Sequence, residues 1–318
     1  MTSHPFLAAR LFGTPVLAEP RKAEVVARVL APRLGLGQQV EIRSDAPPAD
    51  QSFWASPPPA SRFGAPNLGP LQESAMREAC GGNGYLLDPL NGIAVIEVKG
   101  TLVHKSGHVR ASSGELGYDG LGAQLTAALE DSRVRGILLD CHSAGGEVAG
   151  CFQFADRVRE AGDVKPVIAL ADEMAYSAAY AIAAAADEVW LASETAGVGS
   201  IGAILLHVDF TGALDDAGIK VTVLRSGDRK ADFNPFEALS DDVQAREQRE
   251  LDQVRDLFVR RVADWRGLPD DTVYGTEAGT YTGRDALEIG LADGIGAPEA
   301  VYDAFAQRLK ELSAAPAA

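Results

Sequence analysis

The sequence predicts an α/β domain with a largely parallel sheet, preceded by an arm and a linker. Short apolar runs of strand length alternate with helix-length segments carrying one apolar face. Proline is concentrated in one stretch ahead of them, where seven of the 17 prolines fall between about Ala46 and Pro70 (Pro47, Pro48, Pro57, Pro58, Pro59, Pro66 and Pro70). With 318 residues at 46% hydrophobic, the chain can bury a sizeable core. No period of 20 to 50 residues argues for a solenoid.

Residues 1 to about 35 suggest a helical arm, with Ala23, Val26, Ala27, Val29 and Leu30 on one face. The expected division is an arm at 1–45, a Pro-rich linker at 46–88, a folded domain at 89–312 and a frayed tail at 313–318. The domain opens with Gly92-Ile-Ala-Val-Ile-Glu-Val-Lys-Gly100, a β-branched strand ending on glycine. From Asp119, Leu121, Leu125, Ala128 and Leu129 mark a helix that hands over to a buried strand at Val134–Asp140. The unit then repeats. Ser143-Ala-Gly-Gly146 opens a helix with Val148, Cys151, Phe152, Ala155 and Val158 on one side, and Val167–Ala171 forms the next strand. Further strands are expected at Glu188–Ala192, Ala203–Asp209 and Lys220–Arg225, the last two joined by a short helix ending near Gly218. A long amphipathic helix starts near Ser240, with Leu251, Val254, Phe258, Val262 and Trp265 as its stripe. Two more helices are expected around Gly290-Leu-Ala-Asp-Gly-Ile295.

Composition excludes several classes of function. The net charge of −16 and the pI near 4.7 argue against nucleic acid and anionic membrane as partners. No apolar run reaches the roughly 18 residues of a membrane span, and no basic segment precedes the apolar start, so neither anchor nor leader is expected. The three cysteines, Cys80, Cys141 and Cys151, have no metal-type spacing, so neither disulfide nor metal site is expected. No cofactor motif occurs.

The chemistry centres on Asp172-Glu-Met-Ala-Tyr-Ser177-Ala-Ala-Tyr180. Ser177 stands where a buried strand turns into an alanine-rich helix. A hydroxyl there is held clear of the sheet, beside first-turn N–H groups suited to an oxyanion. Alone, such a serine reads as a helix cap. The glycines at 145 and 146 let backbone N–H groups approach a bound group but alone read as a turn. None of the five histidines has triad spacing to Ser177. Lys230 follows in a polar loop between Gly227 and Pro235, and alone reads as solvated surface.

Taken in order, V-K-G-T-L, L-L-D-C-H-S-A-G-G, A-D-E-M-A-Y-S-A-A-Y, A-G-V-G-S-I-G and S-G-D-R-K-A-D-F-N-P-F resemble the signal-peptide-peptidase-A type of serine peptidase over about Gly92 to Gly294. The stretch H-P-F-L-A-A-R-L-F-G-T-P and the central N-P-F resemble the phage branch, the lambda-type capsid-assembly proteases. That resemblance implies Ser177 as nucleophile, Lys230 as general base and Ser200 as the serine that hydrogen-bonds the lysine. It implies backbone N–H groups of Gly146 and Ala178 as the oxyanion hole, and a ClpP/crotonase-like spiral of ββα units. It further implies protein substrates (a scaffold and possibly the chain's own termini), a homo-oligomeric ring whose active sites are shared between subunits, and work in the host cytoplasm inside an assembling prohead. Physics adds a condition: a lysine with an ordinary pKa of about 10.4 must be driven down by burial before it can accept a proton. Ala144 stands where the family usually has proline. The chain stops soon after the protease motifs, so no fused scaffold segment is expected. Two competing readings are an acyl-CoA enzyme using the glycine N–H pair and a catalytically silent assembly component.

Overall fold

The computed structural model describes residues 16–18, 84–107 and 114–314. The expected arm helix, its stripe from Ala23 to Leu30, the Pro-rich linker up to residue 83 and the last four residues lie outside the described residues. The linker is expected to run to 88, but Leu86–Asp88 pairs with Ile93–Val95 as a strand, so the folded domain begins before 89. Val16–Ala18, the part of the arm described, is an extended strand, β1.

The domain is an α/β fold whose main sheet is mostly parallel. It opens with a hairpin, β2 (Leu86–Asp88) antiparallel to β3 (Ile93–Lys99). Gly100, at φ 78°, breaks the run and sends β4 (Thr101–Val103) into a second, smaller sheet with β5 (Glu115–Gly117). Helix α1 (Tyr118–Glu130) closes this first ββα unit, burying Leu121, Leu125 and Ala128. The next unit repeats the path: β6 (Gly136–Ser143) in the main sheet, β7 (Gly145–Glu147) in the small one, then α2 (Cys151–Gly162). This ββα repeat is the spiral that the resemblance implied.

β8 (Val167–Tyr176) leads through Ser177 into α3 (Ala178–Ala184), and β9 (Glu188–Leu191) and β10 (Gly197–Gly199) follow. The main sheet runs β11-β10-β8-β6-β3-β2, with β9 on β8 and β12 on β9; β3, β6, β8 and β10 are parallel. After the short α4 (Thr211–Asp216) comes the long α5 (Asp241–Arg266), capped by Ser240, whose Oγ accepts the Val243 N–H. The chain ends with α6 (Asp270–Tyr274), β11 (Thr280–Thr282), α7 (Gly283–Ile289), β12 (Gly294–Ile295) and α8 (Pro298–Ala314). Ser313 and Ala314, expected to fray, complete the last turn of α8.

Period-2 alternation assigns the two faces of the sheet. Ala94, Ile96 and Val98 join the larger core under α1, α2, α3 and α5. Ile93 and Val95, with Leu138, Ile168 and Leu170, meet Val301, Phe305 and Leu309 of α8 on the other face.

Two expected strands do not form. Ala203–Asp209 carries an isolated bridge at Ile204 and no ladder, and Lys220–Arg225 is unpaired. Strand-type sequence needs a partner edge, and the described residues form no ladder with this stretch. No residue between Gly202 and Leu257 is buried; Ile219, Val221 and Leu224 are exposed, Leu224 by 91%. The first half of α5 lies in the same exposed stretch, and only Phe258, Val259, Val262 and Ala263 of that helix are buried.

Candidate active site

The parallel register brings the glycine turn and the serine turn together. Ser143 is opposite Ala175 at the carboxyl ends of β6 and β8, so Gly145–Gly146 and Ser177 leave the sheet side by side. A bulge between Cys141 and His142 sets this register, because Asp172 and Glu173 are extra residues on β8, Glu173 at φ 72°.

Ser177 occupies a strained turn at φ 55°, ψ −118°, a backbone state that costs about 1–3 kcal/mol. Its own N–H donates to the Gly199 carbonyl at 2.8 Å, and its carbonyl accepts the Ala181 N–H at 2.9 Å, so the backbone is fixed on both sides. The side chain caps nothing: the residue is fully buried, and its Oγ has no hydrogen-bond partner among the described residues. A buried unmade hydroxyl bond costs about 1–3 kcal/mol, so this serine is poorly explained as structure. The Ala178 N–H opens α3 and has no carbonyl one turn earlier in the helix to receive it.

The glycine turn is equally constrained. Ser143 Oγ donates to the Gly100 carbonyl at 2.6 Å and accepts the Gly145 N–H at 3.1 Å, tying the turn to the end of β3. A Cβ on Gly146 would lie 1.8 Å from the Leu102 carbonyl oxygen, so only glycine fits. Ala144, the departure from the usual proline, is buried in this tied turn. Below it, Tyr118 Oη donates to the Glu147 carbonyl at 2.8 Å.

Ser200 follows the carbonyl that receives the Ser177 N–H and is itself almost buried, at φ 57°, its N–H donating to the Gly279 carbonyl at 2.7 Å. Thus Ser177, Ala178, Gly146 and Ser200 cluster at one end of the sheet. Lys230 does not join them within the chain. It lies in the exposed loop after the unpaired Lys220–Arg225 segment, with its N–H donating to the Gly227 carbonyl at 3.1 Å. No histidine among the described residues bonds Ser177 Oγ, and His142 Nδ1 is instead 2.6 Å from the Asp172 carbonyl.

Sequence reasoning missed a second lysine near this end of the sheet. Lys99, buried at the end of β3, sits 3.0 Å from Asp140 and 3.2 Å from Glu97. Burial alone would lower its pKa, but the two carboxylates outweigh burial and hold the ammonium above the ordinary lysine range. A lysine held protonated in this way is a poor base. No spacing rule announces it, since Asp140 is brought opposite Glu97 only by strand pairing.

Residues 159–313 match the model of peptidase family S49. The chain carries a peptidase family S49 domain. The head-tail preconnector protein GP5 of Enterobacteria phage P21 is 40% identical over 92% of this chain and 54% of its own length. Capsid assembly protease C of Escherichia phage lambda is 36% identical over 91% of this chain and 62% of its own length. The chain therefore spans less than two thirds of these relatives. A ClpP1 mutant from Listeria monocytogenes matches with a TM-score of 0.39 at 13% identity, covering 65% of this chain and 92% of that one. The matched residues take in α3, β10 and the Lys230 loop, while Gly146 and the glycine turn precede them. Among the described residues, no cluster of His, Cys, Asp and Glu could hold a metal, and no helix is long and apolar enough to cross a membrane. Cys141 and Cys151 are buried thiols, burial pushing the latter up to about 12; Cys80 lies outside the described residues.

Proposed function

We propose that the chain is a serine endopeptidase of the Ser-Lys type, with Ser177 as nucleophile, Lys230 as general base and Ser200 as the residue that holds the lysine. The observation that carries this reading is the fully buried Ser177 Oγ, fixed at positive φ and without a hydrogen-bond partner. Neutral Lys230 Nζ takes the Ser177 proton as Oγ attacks the scissile carbonyl. The N–H groups of Gly146 and Ala178 receive the oxyanion, and the lysine then passes its proton to the leaving amine. Water, activated by the same amine, releases the acyl group and restores Ser177. Lys99 is unsuited to this task because Asp140 and Glu97 hold its proton.

The exposed position of Lys230 supports a site assembled between copies of the chain. The loop follows Lys220–Arg225, a strand-type segment without a ladder among the described residues, with Ile219, Val221 and Leu224 exposed, as a segment awaiting a neighbouring subunit would be. A ring in which Lys230 of one copy enters the Ser177 site of the next would supply both the missing sheet partner and the burial that makes the lysine a base.

One of the similar phage proteins is named a capsid assembly protease, and capsid assembly is the setting proposed here, with a scaffold protein and possibly the chain's own termini as substrate in the host cytoplasm. An acyl-CoA enzyme would leave the Ser177 hydroxyl without a task, and a silent assembly component would gain nothing from its strained, unsatisfied geometry. The reading is tested by turnover of a denatured protein substrate. Wild type is expected to cleave it and Ser177→Ala to lose cleavage; equal turnover by both would remove Ser177 from the mechanism.

A further inference from the structure

The small sheet contains a strand from outside the domain. Its order is β1-β7-β4-β5, so β7 is flanked on its inner side by β4 and on its outer side by β1. The inner side is closed, because Gly146 packs onto the Leu102 carbonyl with no room for a Cβ. The outer edge carries the antiparallel β1, with Val16 opposite Glu147, Leu17 opposite Gly146 and Ala18 opposite Gly145. Gly146, the residue proposed above to donate to the oxyanion, is thus the middle of a three-pair ladder. β7 packs against α3, the helix that begins after Ser177.

An unpaired strand edge is a template for any extended peptide, with main-chain hydrogen bonds supplying affinity independent of sequence. We infer that the outer edge of β7 is the binding site for an extended peptide substrate, lying antiparallel, and that residues 16–18 of the arm are its resident competitor. This rests on the Ser177 reading for its catalytic consequence, though not for the occupancy of the edge. A ladder of three pairs is short enough to be displaced, yet tethering keeps it at an effective concentration near ~1 mM. The arm therefore taxes substrate binding without destroying the site. If the edge is free only one tenth of the time, apparent KM rises about tenfold while kcat is unchanged.

The test is the double variant Leu17→Pro/Ala18→Pro in the full chain. Successive N–H groups of a strand point to opposite sides, so one of two adjacent prolines must remove a donor aimed at β7. Three readouts are compared with the parent chain. Amide exchange at whichever of Gly146 and Glu147 has its N–H facing β1, measured on the Ser177→Ala background, is expected to quicken about tenfold in the proline variant, while its neighbour, which faces β4, serves as the internal control. On that background, a fluorescein-labelled peptide of residues 12–22 is expected to bind the proline variant several-fold more tightly. With Ser177 intact, KM for casein is expected to fall several-fold at constant kcat. Unchanged exchange would overturn occupancy of the edge, and quicker exchange without tighter peptide binding would overturn its role as a peptide site. Quicker exchange with a lower kcat would overturn competition, since β1 would then complete the site. Should exchange and binding respond as expected while neither protein shows Ser177-dependent turnover, the peptidase reading fails and the peptide site stands.

Discussion

From Tyr85 to Ile201 most apolar side chains are buried, and the residues around Ser177 are fixed by backbone hydrogen bonds on both sides. From Gly202 to Leu257 nothing is buried, and two stretches of strand-type sequence form no ladder among the described residues. One region holds a strained serine in a finished core; the other carries the lysine on a surface with no partner of its own. The contrast is what the proposed shared site would require: a serine fixed by the fold of one chain and a lysine left on the surface for a second copy to bury. Within this account, the cost of an unsatisfied buried hydroxyl is tolerated because assembly would satisfy it.

The sharpest way to break the contrast is at the serine. Ser177→Ala is expected to lower turnover by at least ~10³-fold, while stability holds or rises by about 1 kcal/mol because a partnerless buried oxygen is removed. Activity on a denatured protein and a urea unfolding midpoint check the two halves; a marked loss of stability would mean that Ser177 is structural. Lys230→Arg should be as inactive as Lys230→Ala, since a guanidinium cannot surrender its proton at working pH. Ser200→Ala is expected to lower turnover without changing the urea unfolding free energy by more than ~0.5 kcal/mol, and unchanged turnover would leave Ser200 as an ordinary turn residue.

Within the core, Lys99→Met is expected to destabilise by about 3–5 kcal/mol by leaving Asp140 buried without its ion pair, and Lys99→Met/Asp140→Leu to recover most of the loss. Because the folded pKa of Lys99 is raised, the stability it contributes is present below the ordinary lysine value and is lost as pH rises through the folded one. Chemical denaturation from pH 8 to 11 reads this directly, and Lys99→Met should flatten the alkaline decline.

On the exposed side, Leu224→Asp is expected to change the unfolding free energy by less than ~0.5 kcal/mol and yet reduce both assembly and activity. Sedimentation at matched concentrations separates that outcome from misfolding. Asp131→Asn is expected to touch stability alone, leaving assembly and activity as in wild type. The hydrogen bond from Arg133 holds the Asp131 carboxylate well below its usual range, so its contribution is present above the unfolded value near ~3.9 and fades as pH falls. The partner arginine is half exposed, so the loss at pH 7 should be under ~1 kcal/mol in a thermal melt.

Much of the core was legible because its signals are local. The run from Ile93 to Lys99, the glycine break at 100 and the alanine helix after Ser177 each carry their own periodicity or stop signal. Ser240 as the cap of α5 was legible for the same reason. The three-residue strands β5, β7, β10 and β11 were not, since so few residues show no period and form only where a neighbour lies alongside. Ala203–Asp209 and Lys220–Arg225 failed in the opposite sense: the strand pattern is in the sequence, and the described residues supply no ladder for it. At the site, Ser177 and the glycine turn stood out by position, whereas the Lys99–Asp140 pair depends on strand register and the β1–β7 ladder joins residues far apart in the chain.

The central claim, that the serine and the lysine of one active site come from different copies, is tested most directly by complementation. Ser177→Ala and Lys230→Ala proteins are dissociated, mixed and reassembled, then assayed beside each parent. Some neighbouring pairs in a mixed assembly combine an intact Ser177 with an intact Lys230, so the account predicts that turnover reappears in the mixture alone. Mixed assemblies, verified as such, that remain as inactive as both parents would contradict it.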